Sequence, residues 1–343
     1  MKNRLDYLDS IRGIAAFSVL VFHYTLNIRQ EIEAYKIGEV YFEVIDNYFD
    51  LGKWGVIMFF VLSGMVIPYS IKGGSKEDIK KFVISRFFRL YPVYWVSVLF
   101  GAVLFDKDLF TSLINITMFQ QFLGVENVIG LYWTLQIEMV FYIALIFGYR
   151  FSFTKTIKGQ LNSFYALSIL SVGVAVLRYY LQIKLPLAMP LSLAVMFFGV
   201  VWRKYVIDGD KGVLVHVKYM LLVFVPLLAV TCYYGYSHDF GFNENPKKYF
   251  ITYTLGILTI IIFSTSFKVV NQSIVSLGRV SYSLYLFHPI VWALVFDVFT
   301  IKVPIITFVL STLVSILVSR FLYDIVEKKF VSVGKKLKTK LTN

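Results

Sequence analysis

The sequence holds one cysteine in 343 residues. Cys232 lies in an apolar run, so an intrachain disulfide is excluded and a cysteine-based metal site has no ligand set. Histidine is nearly as scarce, with four dispersed residues and no short metal-ligand spacing. No metal is expected. Charged residues make up only 16% of the chain, against about 25% in a soluble domain. What is abundant is apolar: 58% of the residues, 18% of the chain being aromatic. Disordered and water-soluble globular classes are therefore excluded. A membrane helix takes about 20 residues, which leaves room for about ten spans and short loops. The expected fold class is all-α, a polytopic membrane protein with about ten transmembrane helices.

The net charge of +13 would point to nucleic acid in a soluble protein. No nucleic-acid-binding motif accompanies it, and the positive-inside bias is cause enough. Hydropathy marks spans near 11–28, 54–71, 82–105, 131–149, 161–181, 185–202, 213–236, 248–267, 280–298 and 303–323. With the N-terminus inside, the inner segments carry roughly +17 and the outer ones roughly −3. Both termini are thus expected in the cytoplasm. The first span is read as retained, because His23 interrupts it and no signal-cleavage site follows. Residues 1–330 read as the transmembrane domain and 331–343 as a basic cytoplasmic tail. Lys335, Lys336, Lys338 and Lys340 in that tail suit anchoring to inner-leaflet lipids. The acidic outer loop 29–53 is long enough to cover an outward cavity. No internal repeat of the kind that marks many transporters is visible.

A charge at the bilayer centre costs about 2.5–3.5 kcal/mol on insertion scales, so ionisable residues within spans are functional candidates. Arg12 and His23 are eleven residues apart, on one stripe of the first span, with a rise of about 16 Å between them. Arg86 and Arg89 share a face of the third span, and two forked guanidinium groups suit phosphate. Snorkelling to lipid headgroups is the plainer use of such arginines. Ser63 and Gly64, near the middle of span two, permit either close helix packing or a ligand against bare backbone. Glu138, about 8–10 Å into span four by helical rise, is the only acid expected deep in a span; His23 or an arginine is its expected partner. Ser281, Tyr285 and His288 form a polar stripe on span nine. A phosphorylated donor could rest its anionic end on Arg12, Arg86 and Arg89 and extend its thioester along a continuous passage towards His23.

Five motifs in order resemble those of the acyltransferase 3 family of bacterial integral-membrane acyltransferases. They are Leu8-Asp9-Ser10-Ile11-Arg12-Gly13 with His23, Phe59-Phe60-Val61-Leu62-Ser63-Gly64, Arg86-Phe87-Phe88-Arg89-Leu90-Tyr91-Pro92, Trp133-Thr134-Leu135 with Glu138, and Ser281-Tyr282-Ser283-Leu284-Tyr285-Leu286-Phe287-His288-Pro289. The resemblance implies an acyl-CoA donor, usually acetyl-CoA, used as a co-substrate with no permanently bound cofactor. It implies an essential Arg12 and His23 pair, a donor site holding Arg86 and Arg89, and residence in the bacterial cytoplasmic (inner) membrane. The acceptor it implies is a hydroxyl of a cell-surface or secreted glycan, or a lipid-linked saccharide.

The expected site therefore has His23 and Glu138 as catalytic residues. Arg12, Arg86, Arg89, Ser63 and Gly64 bind acyl-CoA, and Tyr285, His288 and Ser281 are cavity or oxyanion candidates. In the expected mechanism His23 is general base or transient nucleophile, and Glu138 orients it as the carboxylate of a triad does, or contacts the acceptor. Some relatives carry a fused extracytoplasmic SGNH hydrolase-like domain. This chain runs only about 20 residues past span ten, so the stand-alone form is expected, with a separate extracytoplasmic transferase as a partner where one is needed. The competing class is a transporter that exports an anionic or acylated metabolite.

Overall fold

The computed structural model describes residues 5–71, 73–298 and 303–341. All regular structure among them is helical. Helix α1 (Asp6–Asn27) leads into two short helices, α2 (Arg29–Glu33) and α3 (Lys36–Asn47), and then into α4 (Leu51–Val66) and α5 (Lys76–Leu104). Short α6 (Leu109–Asn115) precedes α7 (Trp133–Arg150), α8 (Ile157–Leu181), α9 (Ala188–Val206), α10 (Val213–Gly235) and α11 (Pro246–Thr265). The chain closes with α12 (Gln272–Arg279), α13 (Ser281–Ala293), α14 (Pro304–Leu322) and α15 (Lys328–Lys340).

Side-chain caps set several boundaries. Asp50, Ser75, Asp108 and Thr156 accept from backbone N–H groups in the first turns of α4, α5, α6 and α8, which satisfies donors the helix cannot. Asn245 does the same for α11, with Pro246 in its first turn.

Eight helices among the described residues are long and apolar enough to cross a membrane. Each of the ten expected spans falls on a helix, and the two outside the eight have physical reasons. The apolar run of helix α1 is interrupted by Arg12 and His23, which lower its hydropathy, and the apolar stretch on α13, Ser281–Phe296, is short. Helices α4 and α9 are the most enclosed. Their backbones meet at Gly64 and Gly199, where a Cβ on Gly64 would lie 1.9 Å from the Met196 carbonyl oxygen and one on Gly199 2.2 Å from that of Val61.

The segment 29–53, expected as an outer loop, folds into α2 and α3, tied by Arg29 to Glu33 and Asp46. Hydrogen bonds to Asp46 and then Glu33 hold the Arg29 guanidinium more firmly protonated than usual. The proposed tail boundary at 330/331 falls inside α15, which packs along α5.

The connection from α5 to α7 doubles back beside α5. Tyr94, Trp95 and Tyr91 donate to the carbonyl oxygens of Asn115, Ile116 and Thr117 at 2.7, 3.0 and 3.0 Å. Tyr94 lies ten residues before the end of α5, so the turn descends about 15 Å from that end. Non-helical backbone is tolerated at such depth only when its polar groups are satisfied by protein, and these three donors supply that. The Tyr132 and Ser97 hydroxyls then meet at 2.8 Å, so α7 begins about 10 Å below the end of α5 by helical rise.

Candidate active site

A cavity enclosing about 760 Å³ of atom-free space, part of it open to the exterior, lies between α1, α4, α5, α7 and α13. Arg12, Arg86 and Arg89 converge on it from α1 and α5, together with Ser63, Glu138, Ser281 and Tyr285. Seven of the ten sequence-nominated residues therefore share one space. Gly64, His23 and His288 are not on its wall.

Arg86 donates to Ser70 Oγ at 2.7 Å, while its Nε is buried without a partner. Its guanidinium also faces the rings of Phe82 and Tyr142 at 5.5 and 5.7 Å. Arg89 makes no hydrogen bond and no close ion pair with a described residue. Elsewhere the arginines are engaged: Arg178 pairs with buried Glu244, and Arg203 holds the Met65 carbonyl at 2.9 Å. Buried guanidinium nitrogens without a hydrogen-bond partner also occur at Arg178, Arg203 and Arg279, but of these four arginines only Arg86 lines the cavity. Arg12 has Asp9 at 3.6 Å, and Arg89, Glu138 and Arg86 lie within its electrostatic reach.

Glu138 accepts a 2.5 Å hydrogen bond from Tyr142 and belongs to the arginine group. The expected orientation of His23 by Glu138 is not formed. The cause is the low start of α7, which carries Glu138 deeper than its place in the span suggests. The carboxylate within electrostatic reach of His23 is instead Asp50, at the start of α4.

Sequence reasoning missed a buried acid near the arginines. Glu327 is 6% exposed, accepts from Ser283 Oγ at 3.2 Å and faces Arg89 and Arg12. It lies past the predicted end of span ten, but the helix continues there through a wider π-turn at Tyr323–Glu327. The Asp-x-x-Glu after the apolar run was the available signal.

The histidines form a separate level. The His23 and His288 rings lie 5.5 Å apart and tilted. His288 Nδ1 contacts the Leu284 carbonyl oxygen at 3.0 Å. A carbonyl only accepts, so Nδ1 carries the proton, and a neutral His288 presents Nε2 as an acceptor. That Nε2 is buried and unpartnered. His288 is therefore not the oxyanion donor expected of it, since a neutral ring has no second N–H. His23 is only partly buried, and neither ring nitrogen has a hydrogen-bond partner among the described residues.

Tyr285 stands between the levels, its ring 6.3 Å from His288 and 6.3 Å from Phe59. Its hydroxyl meets Thr134 Oγ1 at 2.8 Å and the Leu131 carbonyl at 3.1 Å. Thr134 also reaches that carbonyl, so the triangle consumes both hydroxyl protons and leaves Tyr285 none for an oxyanion. The cavity wall includes Phe59 and Tyr285 but neither histidine, so the continuous passage expected from Arg12 to His23 is not part of this cavity. Gly64 faces α9 and serves helix packing instead of ligand binding.

The family model described as "Acyltransferase domain" matches residues 5–324. A protein of Acidianus two-tailed virus named as an acetyltransferase, ORF330, is 23% identical over 305 residues, covering 84% of this chain and 83% of its own. Acyltransferase MdmB of Streptomyces mycarofaciens is 26% identical over 161 residues, 43% of this chain and 40% of its own. No solved structure matches.

Proposed function

Because the chain belongs to the acyltransferase domain family, we propose that this membrane acyltransferase moves an acyl group, most simply acetyl, from cytoplasmic acyl-CoA to a hydroxyl of a glycan or lipid-linked saccharide. The observation that carries this reading is the pair Arg86 and Arg89 on the wall of one cavity, Arg86 with a buried unpartnered Nε and Arg89 with no hydrogen bond to a described residue. Unsatisfied buried donors are costly, and an anionic ligand with several acceptor oxygens relieves that cost with charge-assisted bonds. The charge bias of the loops supports an orientation with this end towards the cytoplasm, and the reading takes the membrane to be a bacterial inner membrane.

The thioester end of the donor extends past Thr134 towards the histidine level. Rotation of Tyr285 out of its triangle with Thr134 and Leu131 opens the way beside Phe59. His23 then takes the proton of the acceptor hydroxyl as its oxygen attacks the thioester carbonyl. The C–O bond forms, the C–S bond breaks, and the departing thiolate receives the proton from the imidazolium to give free CoA. Asp50 supplies opposite charge while the imidazolium exists, a role like that of a triad carboxylate. His288 Nε2 accepts a hydrogen bond from the acceptor hydroxyl or from His23, fixing its orientation. Glu138 and Glu327 place opposite charge near the arginines.

The test is purified protein in lipid nanodiscs with labelled acetyl-CoA and a crude glycan acceptor. Release of free thiol with label entering the acceptor, both lost in His23→Ala, is expected. Label that only crosses a liposome membrane, with the thioester intact, would replace the enzyme by an exporter.

A further inference from the structure

Helix α15 lies along α5, with Gly334 against the Phe88 side chain. Between the two helices is a second space of about 530 Å³ including its mouth, lined by Ser85, Arg86, Arg89, Val331, Lys335 and Lys338, with Gly334 at its wall. Two guanidinium and two ammonium groups thus face one cleft, and no acid lines it among the described residues. Arg86 and Arg89 are common to this cleft and to the deeper cavity. Lys335 and Lys338 are three residues apart, on one helix face. Lys336 and Lys340, equally basic in sequence, do not line the cleft.

A general attraction to lipid would use all four lysines alike. A cleft that selects two of them, and joins them to arginines already committed to a deeper ligand, fits an elongated molecule with several separated anionic groups. We propose that Lys335 and Lys338 of α15 bind the phosphates of the nucleotide portion of the acyl-CoA donor, while Arg86 and Arg89 hold the phosphate that joins its pantetheine arm. This deepens the proposed function and rests on it. The segment read from sequence as a lipid anchor becomes part of the donor site, and α15 must be docked on α5 for the donor to bind tightly.

The shared chemistry is phosphate, which an anionic lipid headgroup also offers, so the experiment separates the two. Acetyl-CoA and acetyl-phosphopantetheine, the same thioester without the nucleotide, are titrated into wild type, Lys335→Ala/Lys338→Ala and Lys336→Ala/Lys340→Ala in nanodiscs of neutral phosphatidylcholine. Expected is a loss of about tenfold or more in acetyl-CoA affinity for the first variant only, with acetyl-phosphopantetheine affinity unchanged. The retained second ligand shows that the variant is folded. Unchanged acetyl-CoA affinity, or an equal loss for both ligands, overturns the inference. So does an effect that appears only when phosphatidylglycerol is added to the discs, since the cleft would then serve lipid. Wild type that binds neither thioester overturns the donor reading itself, an outcome distinct from all of these.

Discussion

His23 and His288 face each other across 5.5 Å between ring centres, one partly exposed with free nitrogens and the other buried with its proton fixed on Nδ1 by the Leu284 carbonyl. The asymmetry divides the work. His23 can change protonation state with access to ligand, whereas His288 offers a fixed acceptor. His23→Ala is expected to lower turnover by about 10²–10⁴-fold, the usual worth of a general base, with donor affinity unchanged. His288→Asn keeps a donor for Leu284 but loses the Nε2 acceptor; a fall in kcat with unaltered donor affinity is expected. Both are read by steady-state rates beside donor titration.

Tyr285→Phe discriminates a gate from an oxyanion donor. Thr134 still satisfies the Leu131 carbonyl when the tyrosine hydroxyl is gone, so the fold should hold. A gate predicts kcat within about threefold of wild type, whereas loss of an oxyanion donor costs about 10²–10³-fold. Thiol-release kinetics at saturating donor decide between them.

Gly64→Ala should destabilise the protein by about 1–3 kcal/mol, as overpacking does, because its Cβ would press on the Met196 carbonyl. Ser63→Ala, one residue earlier and facing the cavity, should leave stability near that of wild type. Thermal unfolding of both variants in the same detergent checks the contrast.

Arg178 and Glu244 form an ion pair in which each side chain is 5% exposed, with Phe240 over the guanidinium at 4.6 Å. Removing one partner, as in Arg178→Ala, should cost about 3–5 kcal/mol by stranding a buried charge. Arg178→Met with Glu244→Leu should recover most of that loss in the same melting assay, since the pair binds the α10–α11 connection to α8 by packing as well as by charge.

The helices were legible because a span announces itself by composition, and the Arg12, Arg86 and Arg89 grouping because charge in an apolar run is rare. What escaped depends on contacts between distant residues. Hydropathy counts residues across a span and has no sign for a chain that enters beside α5 and returns. The carbonyls of 115–117 are satisfied by side chains about 20 residues earlier, which no local pattern records. That hidden turn lowered α7 and moved Glu138 from the histidine to the arginines. Glu327 was hidden by the π-turn that carries the last helix beyond its apolar run. The triangle at Tyr285 and the tautomer of His288 follow from hydrogen-bond partners on neighbouring turns and helices, so spacing alone suggested a donor that the packing does not supply and a passage that the cavity does not include.

The most direct measurement is the dissociation constant of acetyl-CoA for wild type, Arg89→Ala and Arg89→Lys in nanodiscs. Each charge-assisted hydrogen bond is worth about 1.5–3 kcal/mol, so Arg89→Ala should weaken binding by about tenfold or more, and Arg89→Lys should recover only part because the planar fork is lost. Wild-type affinity in Arg89→Ala would mean that this guanidinium faces the cavity without holding the donor, and would contradict the assignment of the site.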